Sequence, residues 1–236
     1  MKPILFNTEM VRSLLSGVKT CTRRVVKGAH FQWDFWCMDD NAVMTGIRAD
    51  GEEYPLPVEG LWAVFIQDGN PEFLMLKAPY QPGDILWVRE TWYQDTERYM
   101  YRADYSKTEK FYRNGKEVTV KWRPSIHMPK DAARIFLQVK NVRVERLQDV
   151  GYEGCKAEGI WDDYKTHSEK YHENLAERAY PVVFSEFWDC TIKKQLLPRY
   201  GWDANPWVWV IEFERISKEA ALEAEKEQKN DVARST

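Results

Sequence analysis

The sequence predicts an α+β fold, a small mixed β-barrel with short flanking helices and sizeable insertions. Three observations predict it. Short strand-like runs dominate, with one early helix and one mid-chain helix. Hydrophobic residues make up 44% and aromatics 14% of 236 residues, enough for a sizeable core and against wholesale disorder. Neither GxGxxG nor GxxxxGKS/T occurs, which argues against the phosphate loop of a doubly wound sheet.

The elements follow in order. Thr8 is placed to cap a helix over Glu9 to Ser16. Met10, Val11, Leu14 and Leu15 share one face at helical spacing, and Gly17 suits a left-handed end. From Thr20 the pattern alternates, with Thr20, Thr22 and Arg24 on one side of an extended chain, while Lys19 lies in the connecting turn. Residues 28–78 read as an insertion of short aromatic strands, among them Phe31 to Cys37 and Leu61 to Ile66. GDILWVRETW, after the turn at Pro82 and Gly83, reads as a buried strand with Trp87 and Trp92 in the core.

Residues 94–130 are polar, basic and aromatic, and end in WRPSIHMP, whose two prolines oppose regular structure. AARIFLQVKNVRVERL predicts two strands with a kink near Asn141, and Asp149 to Ile160 a short helix. Residues 162–200 read as mostly helical, with Phe184, Phe187 and Trp188 on one face. WVWVIEFERI, after Pro206, is a core strand. Beyond Ser217 an Ala/Glu/Lys-rich helix or tail reads as a solvated extension.

Charge and cysteine usage narrow the function classes. The net charge of −3 argues against strong polyanion affinity of the whole molecule. Its distribution is uneven: residues 1–27 carry six Lys/Arg against one Glu, residues 28–80 two against nine Asp/Glu, and residues 98–146 thirteen against five. Folded together, the basic segments form either one face for a phosphate backbone or a mixed soluble surface. Cys21, Cys37, Cys155 and Cys190 show no CxxC pair, and no signal peptide or membrane-length apolar run is evident. The expectation is free thiols in a reducing cytoplasm, with no membrane partner and no zinc site. His167 and His172 are five apart, the wrong spacing for one helical face, so no metal site is expected there.

A helix ending in glycine precedes K-T-x-T-x-R (Lys19, Thr20, Thr22, Arg24). P-G-D-x-L-W-V-R-E-T-W (Pro82 to Trp92) and A-E-G (Ala157 to Gly159) follow. Together these motifs resemble the ASCH domain. WRPSIHMPKDAARIFL (Trp122 to Leu137) and DANPWVWVIEF (Asp203 to Phe213) resemble a long subgroup encoded by bacteriophages and prophages, in which case the cytoplasm is that of a bacterial host. The resemblance implies one PUA-like domain over residues 1–216. Its core is about 1–27, 79–93, 132–160 and 205–216, and its insertions are 28–78, 94–131 and 161–204. Residues 217–236 are left as a charged helical or disordered tail. It also implies a partner, RNA or a modified nucleoside. Some small ASCH proteins are amidohydrolases that remove the acetyl group of acetylcytidine with a Lys, a Thr and a Glu. By motif these are Lys19, Thr22 and Glu158. The chain departs from those enzymes in its greater length and in Val18, where they often carry a basic residue.

Chemistry sets conditions on each candidate. Thr22 is a nucleophile only with a base beside it, and otherwise a β-branched strand residue. Lys19 is that base only if burial or neighbouring cations lower its pKa, for which Arg23 and Arg24 are close in sequence. Glu158 is either a proton donor to a leaving amine or a surface glutamate. Arg24 suits an oxyanion or phosphate, or pairs with Asp84 or Glu90. Arg89 and Glu90 are adjacent in a strand, so at most one faces a pocket. Trp122, Arg123 and His127 suit a lid that stacks on and reads a base, or a packed loop.

If these conditions are met, the resemblance implies an amidohydrolase acting on an N-acylated cytosine-type base, with no cofactor or metal required. A binding module for RNA or a modified base through the same pocket is the alternative. A metal-dependent ribonuclease is a third reading, and no obvious carboxylate or histidine cluster supports it.

Overall fold

The structure is a computed structural model that describes residues 1–29, 32–40, 43–47, 53–57, 59–68, 70–95, 98–113, 115–159 and 173–234. It is a mixed α+β fold with several sheets. The central sheet has five strands: β1 (Lys2–Leu5), β2 (Cys21–Val25), β8 (Ile85–Arg89), β13 (Phe136–Arg146) and β14 (Trp207–Ile216). Their order is β1-β8-β13-β14-β2, with β1 parallel to β8 and the other pairs antiparallel. The insertions carry β3 (Asp34–Asp39), β4 (Val43–Ile47), β5 (Glu53–Pro57), β6 (Trp62–Gln67), β7 (Asn70–Lys77), β9 (Trp92–Gln94), β10 (Tyr99–Tyr101), β11 (Phe111–Arg113) and β12 (Lys116–Val118). The α-helices are α1 (Thr8–Leu15), α2 (Tyr152–Ala157), α3 (Glu173–Thr191), α4 (Leu197–Tyr200) and α5 (Lys218–Arg234).

The expected closed barrel is not formed: β1 and β2 are the edges of the sheet. The reason is local. β1 ends at Leu5, and Asn7 then starts α1, its Oδ1 accepting from the Met10 amide at 2.8 Å. The cap is therefore Asn7, not Thr8, and the chain turns into a helix before it can pair with β2. The gap is crossed by a side chain, since Arg24 Nη2 on β2 donates to the Leu5 carbonyl at 2.9 Å. Met10, Val11 and Leu14 of α1 are buried against Ile4, Leu137 and Ile211 in the main core. That apolar stripe holds the helix to the sheet, as its spacing predicts.

Two predicted strands change form. GDILWVRETW breaks at Glu90 and Thr91 into β8 and β9, because buried Glu90 leaves the ladder to pair with Arg134 at 2.9 and 3.0 Å. The pair predicted with a kink near Asn141 is the single strand β13, whose register shifts between Val139 and Asn141. One extra residue bends it without ending it.

The first insertion forms the sheet β3-β6-β7 and the hairpin β4-β5. Phe35 and Phe65 meet Trp207 at centroid distances of 6.0 and 5.8 Å, so this sheet packs on the central one through aromatic contacts. The predicted first strand starts at Asp34, and Phe31 lies outside the described residues. So do residues 160–172, with His167 and His172. No helix among the described residues is long and apolar enough to cross a membrane.

The C-terminal segment is a docked helix, not a solvated extension. Ala221 is fully buried beside Ile85 and Phe136. Glu225 accepts from Lys130 Nζ at 2.8 and 3.0 Å and pairs with the Met1 ammonium at 3.0 Å. Lys130 holds its carboxyl at about 2, below its ordinary 4.5 and against the opposing effect of burial, and the ammonium adds to this. A depressed carboxylate pKa contributes stability that is full above the unfolded value and is lost as pH falls toward the folded one. Glu225→Gln is expected to cost about 1–2 kcal/mol at neutral pH. In urea melts the deficit should shrink as pH drops below 4.5 toward about 2. A deficit unchanged over that range would refute this role.

Candidate functional site

The site is built where α1, the turn after it, β2 and the end of α2 meet. Gly17 adopts φ +79, and the amides of Val18 and Lys19 then both donate to the Ser13 carbonyl at 3.0 Å. This tight exit turns Lys19 inward, so the predicted turn lysine is buried, at 3% exposure. Glu158 caps the C-terminal end of α2, and Gly159 follows with φ +87. A Cβ on Gly159 would lie 2.6 Å from the Ser13 Cβ and 3.0 Å from the Lys19 Cβ. Glycine in the A-E-G motif is thus required both by the left-handed backbone and by the close approach of α1. Ser13 Oγ donates to the Gly159 carbonyl at 2.9 Å and fastens the two segments.

This geometry brings Lys19 and Glu158 together. Lys19 Nζ is 2.6 Å from Glu158 Oε2 and donates also to the Glu158 carbonyl at 3.0 Å. The second carboxylate oxygen accepts from the Arg23 amide at 2.6 Å and pairs with Arg23 Nη1 at 3.4 Å. Arg23 in turn meets Glu145 Oε1 through Nε at 2.8 Å and Nη2 at 2.7 Å. Two buried cations are thus matched by two carboxylates. Burial pushes the Lys19 pKa below its ordinary value, and Glu158 opposes that shift. Burial also works against the charge on Arg23, yet Glu158 is the chief cause that holds its pKa above the ordinary value.

Thr22 completes the predicted trio. It is fully buried, and its hydroxyl has no hydrogen-bond partner among the described residues. Thr22 and Glu158 line a tight cavity of about 10 Å³, closed from the other side by Phe184, Phe187, Trp188 and Thr191 of α3. Lys19 stands behind Glu158, outside that lining. A second cavity of about 620 Å³ adjoins, lined by Ile4, Leu5, Asn7, Glu9, Tyr80 and Cys190. Met10, Arg24, Phe187 and Thr191 belong to both cavities.

The remaining predicted residues do not gather at one place. Arg24 sits at the partition. Neither partner expected for it is available, because Asp84 pairs with Lys2 at 2.6 Å and Glu90 with Arg134. Arg24 instead uses the carbonyls of Leu5 and Arg23 and lies 5.4 Å from the Phe6 ring centroid. Arg89 donates to the Ile126 carbonyl and lies over Trp87. Trp122 packs with Tyr105 and Phe111 at 5.8 and 5.9 Å and lines a separate groove beside Lys107 and Lys110. Arg123 is exposed over Trp92, and His127 is exposed in a short 3₁₀ turn. None of these four lines the two cavities at Thr22.

Sequence reasoning missed Arg23 as a ligand of Glu158, Glu145 behind it, and α3 as the cover. Gly154 carries the signal for Arg23, since a Cβ there would lie 2.8 Å from Arg23 Nη2. Comparison with protein-family models, curated proteins and solved structures finds no match for this chain.

Removing one partner of a buried ion pair strands the other, which typically costs about 3–5 kcal/mol, whereas replacing both by apolar groups is often neutral. Glu158→Ala is therefore expected to destabilise by about 3 kcal/mol or more. Lys19→Met combined with Glu158→Leu should recover part of that in denaturant melts, the remainder being the Arg23 amide and guanidinium left without Glu158. A double variant no more stable than Glu158→Ala would show that the pair is not the source of the cost.

Proposed function

We propose that this chain is an ASCH-type, PUA-like protein that recognises RNA or a modified nucleoside and hydrolyses the amide of an N-acylated cytosine-type base. The observation that carries the reading is the buried 2.6 Å contact between Lys19 Nζ and Glu158 Oε2, beside a buried Thr22 hydroxyl that lacks a partner among the described residues.

One proton shift along that contact supplies both groups the reaction needs. Moving the proton from Lys19 Nζ to Glu158 Oε2 leaves a neutral amine and a neutral acid, and burial lowers the Lys19 pKa in that direction. The amine takes the Thr22 proton as Oγ bonds to the acyl carbon. The C–N bond then breaks, and Glu158 gives its proton to the leaving nitrogen. Water next attacks the threonine ester, giving up a proton to the Glu158 carboxylate, and the carboxylic acid departs as Thr22 regains its hydrogen from Lys19. The sum is amide plus water to acid plus amine. The Lys19–Thr22 contact is made on substrate binding, as catalytic hydrogen bonds that are loose in the free enzyme commonly tighten in the complex.

Charge pairing favours a free nucleoside over an RNA strand. In the basic segment 98–146, Lys130, Arg134, Lys140 and Arg143 each meet a carboxylate from outside the segment, Glu225, Glu90, Glu214 and Glu212, which offsets about half of its positive excess. The cavity of about 620 Å³ is of a size that small ligands occupy. A binding module without chemistry is the second reading, favoured by the satisfied ion pair that holds Lys19 away from Thr22.

Hydrolysis of N-acetylcytidine by purified variants separates the two. Lys19→Ala, Thr22→Ala and Glu158→Gln should each lower kcat by a similar large factor, about 10³ or more, because groups acting as one unit fail together. Thr22→Ser should retain part of the rate. Circular dichroism confirms which variants remain folded. Absence of wild-type turnover, with unequal and modest losses of affinity instead, is the signature of the binder.

A further inference from the structure

The proposed reaction divides its substrate into an acyl group and an amine, and the two cavities at the site differ in size accordingly. The cavity at Thr22 holds about 10 Å³, close to the room of one water-sized group. Its neighbour holds about 620 Å³. Met10 and Arg24, with Phe187 and Thr191 from α3, line both. Thr22, fully buried, lines the smaller one, and its hydroxyl has no partner among the described residues, a state that costs free energy.

We propose that the small cavity is an acyl pocket that limits the acyl group to acetyl or shorter, with Phe184 and Trp188 as its floor, and that the large cavity receives the amine-bearing base or nucleoside. This rests on the amidohydrolase reading and adds a size limit and a two-sided division of the site. Once Thr22 Oγ has bonded to the acyl carbon, the acyl tail and the leaving nitrogen lie on different sides of that carbon. The floor beneath the tail is tightly held. Phe184 is fully buried, 5.9 Å from the Arg23 guanidinium and 6.0 Å from Trp202. Trp188 Nε1 donates to the Tyr200 carbonyl at 2.8 Å. A longer tail must displace one of these rings from a close-packed interior. The larger chamber instead offers the half-buried Phe187 ring, Tyr80, Asn7 and Arg24, apolar and polar faces suited to a planar base.

Two measurements test this. Cys190 is exposed and lines the large cavity, while exposed Cys37 on β3 does not. Burial pushes the Cys21 and Cys155 thiols up to about 12 and about 11, which leaves them unreactive at neutral pH. Alkylation by iodoacetamide, read by mass spectrometry, should slow about tenfold at Cys190 at cytidine concentrations about ten times Kd, by mass action, with Cys37 unchanged. In a panel of N-acetyl-, N-propionyl- and N-butyrylcytidine, each added methylene should lower kcat/KM about tenfold or more. Phe184→Leu should narrow that spread while still accepting acetyl. Unprotected Cys190 at millimolar cytidine, or butyryl processed as fast as acetyl by the wild type, overturns the division. If nothing is hydrolysed, the amidohydrolase reading fails, and protection of Cys190 still decides this one: protection by acetylcytidine but not butyrylcytidine supports it, and equal protection by both overturns it.

Discussion

Glu158 places a carboxylate, 4% exposed, where three hydrogen-bond donors converge on it: the Lys19 ammonium, the Arg23 amide and the Arg23 guanidinium. Burying such a charge without partners is prohibitive, so the surrounding segments are positioned to supply them. Gly159 lets the end of α2 touch α1. The tight exit from α1 turns Lys19 inward, and the edge strand β2 gives up one backbone amide to the carboxylate rather than to a neighbouring strand. The continuous stretch from α1 through its turn to β2 and the distant end of α2 are thereby locked at one point. The sheet itself stays open between β1 and β2, bridged by Arg24.

Around that point the insertions decide access. α3 lays Phe184 and Trp188 over Thr22 and leaves little room there, while its last turns, with the start of α1 and Tyr80, wall a much larger space. An ion pair of this kind is compatible with a purely structural role. What distinguishes the site is the threonine beside it. Its hydroxyl is buried and without a partner among the described residues, a state that costs free energy and that the proposed role of Thr22 would account for. Separate ion pairs, of Lys130, Arg134, Lys140 and Arg143 with Glu225, Glu90, Glu214 and Glu212, offset about half of the positive excess of residues 98–146.

Parts of this were legible in the sequence because the information is local. Met10, Val11 and Leu14 show their buried face through helical spacing, and Thr22 and Arg24 share a side through strand alternation. Of the motif residues, Lys19 meets Glu158, while Thr22 shares a cavity lining with Glu158 and not with Lys19. What was not legible depends on partners far along the chain. The break after Arg89 follows from Arg134, and neither carboxylate expected for Arg24 pairs with it because Lys2 and Arg134 occupy them. Trp122, Arg123 and His127 looked like one lid because they are neighbours in sequence, yet a proline-stiffened loop sends them to separate surroundings. The docking of α5 rests on a few small or charged contacts, Ala221 and Glu225, in a run that otherwise reads as solvated. Which strands close a sheet is likewise a property of chain direction after Leu5, not of strand propensity.

The central claim is that Thr22 takes up the acyl group with the Lys19–Glu158 pair moving the proton. Rapid acid quench of the enzyme during turnover of N-acetylcytidine, followed by peptide mass spectrometry, tests it directly. The predicted result is an acetyl ester on Thr22 that forms in the wild type during turnover and is absent both from Thr22→Ala and from Glu158→Gln, which cannot protonate the leaving nitrogen. Acetate formed at the wild-type rate by Thr22→Ala, with no acetylated peptide at any time, would contradict it.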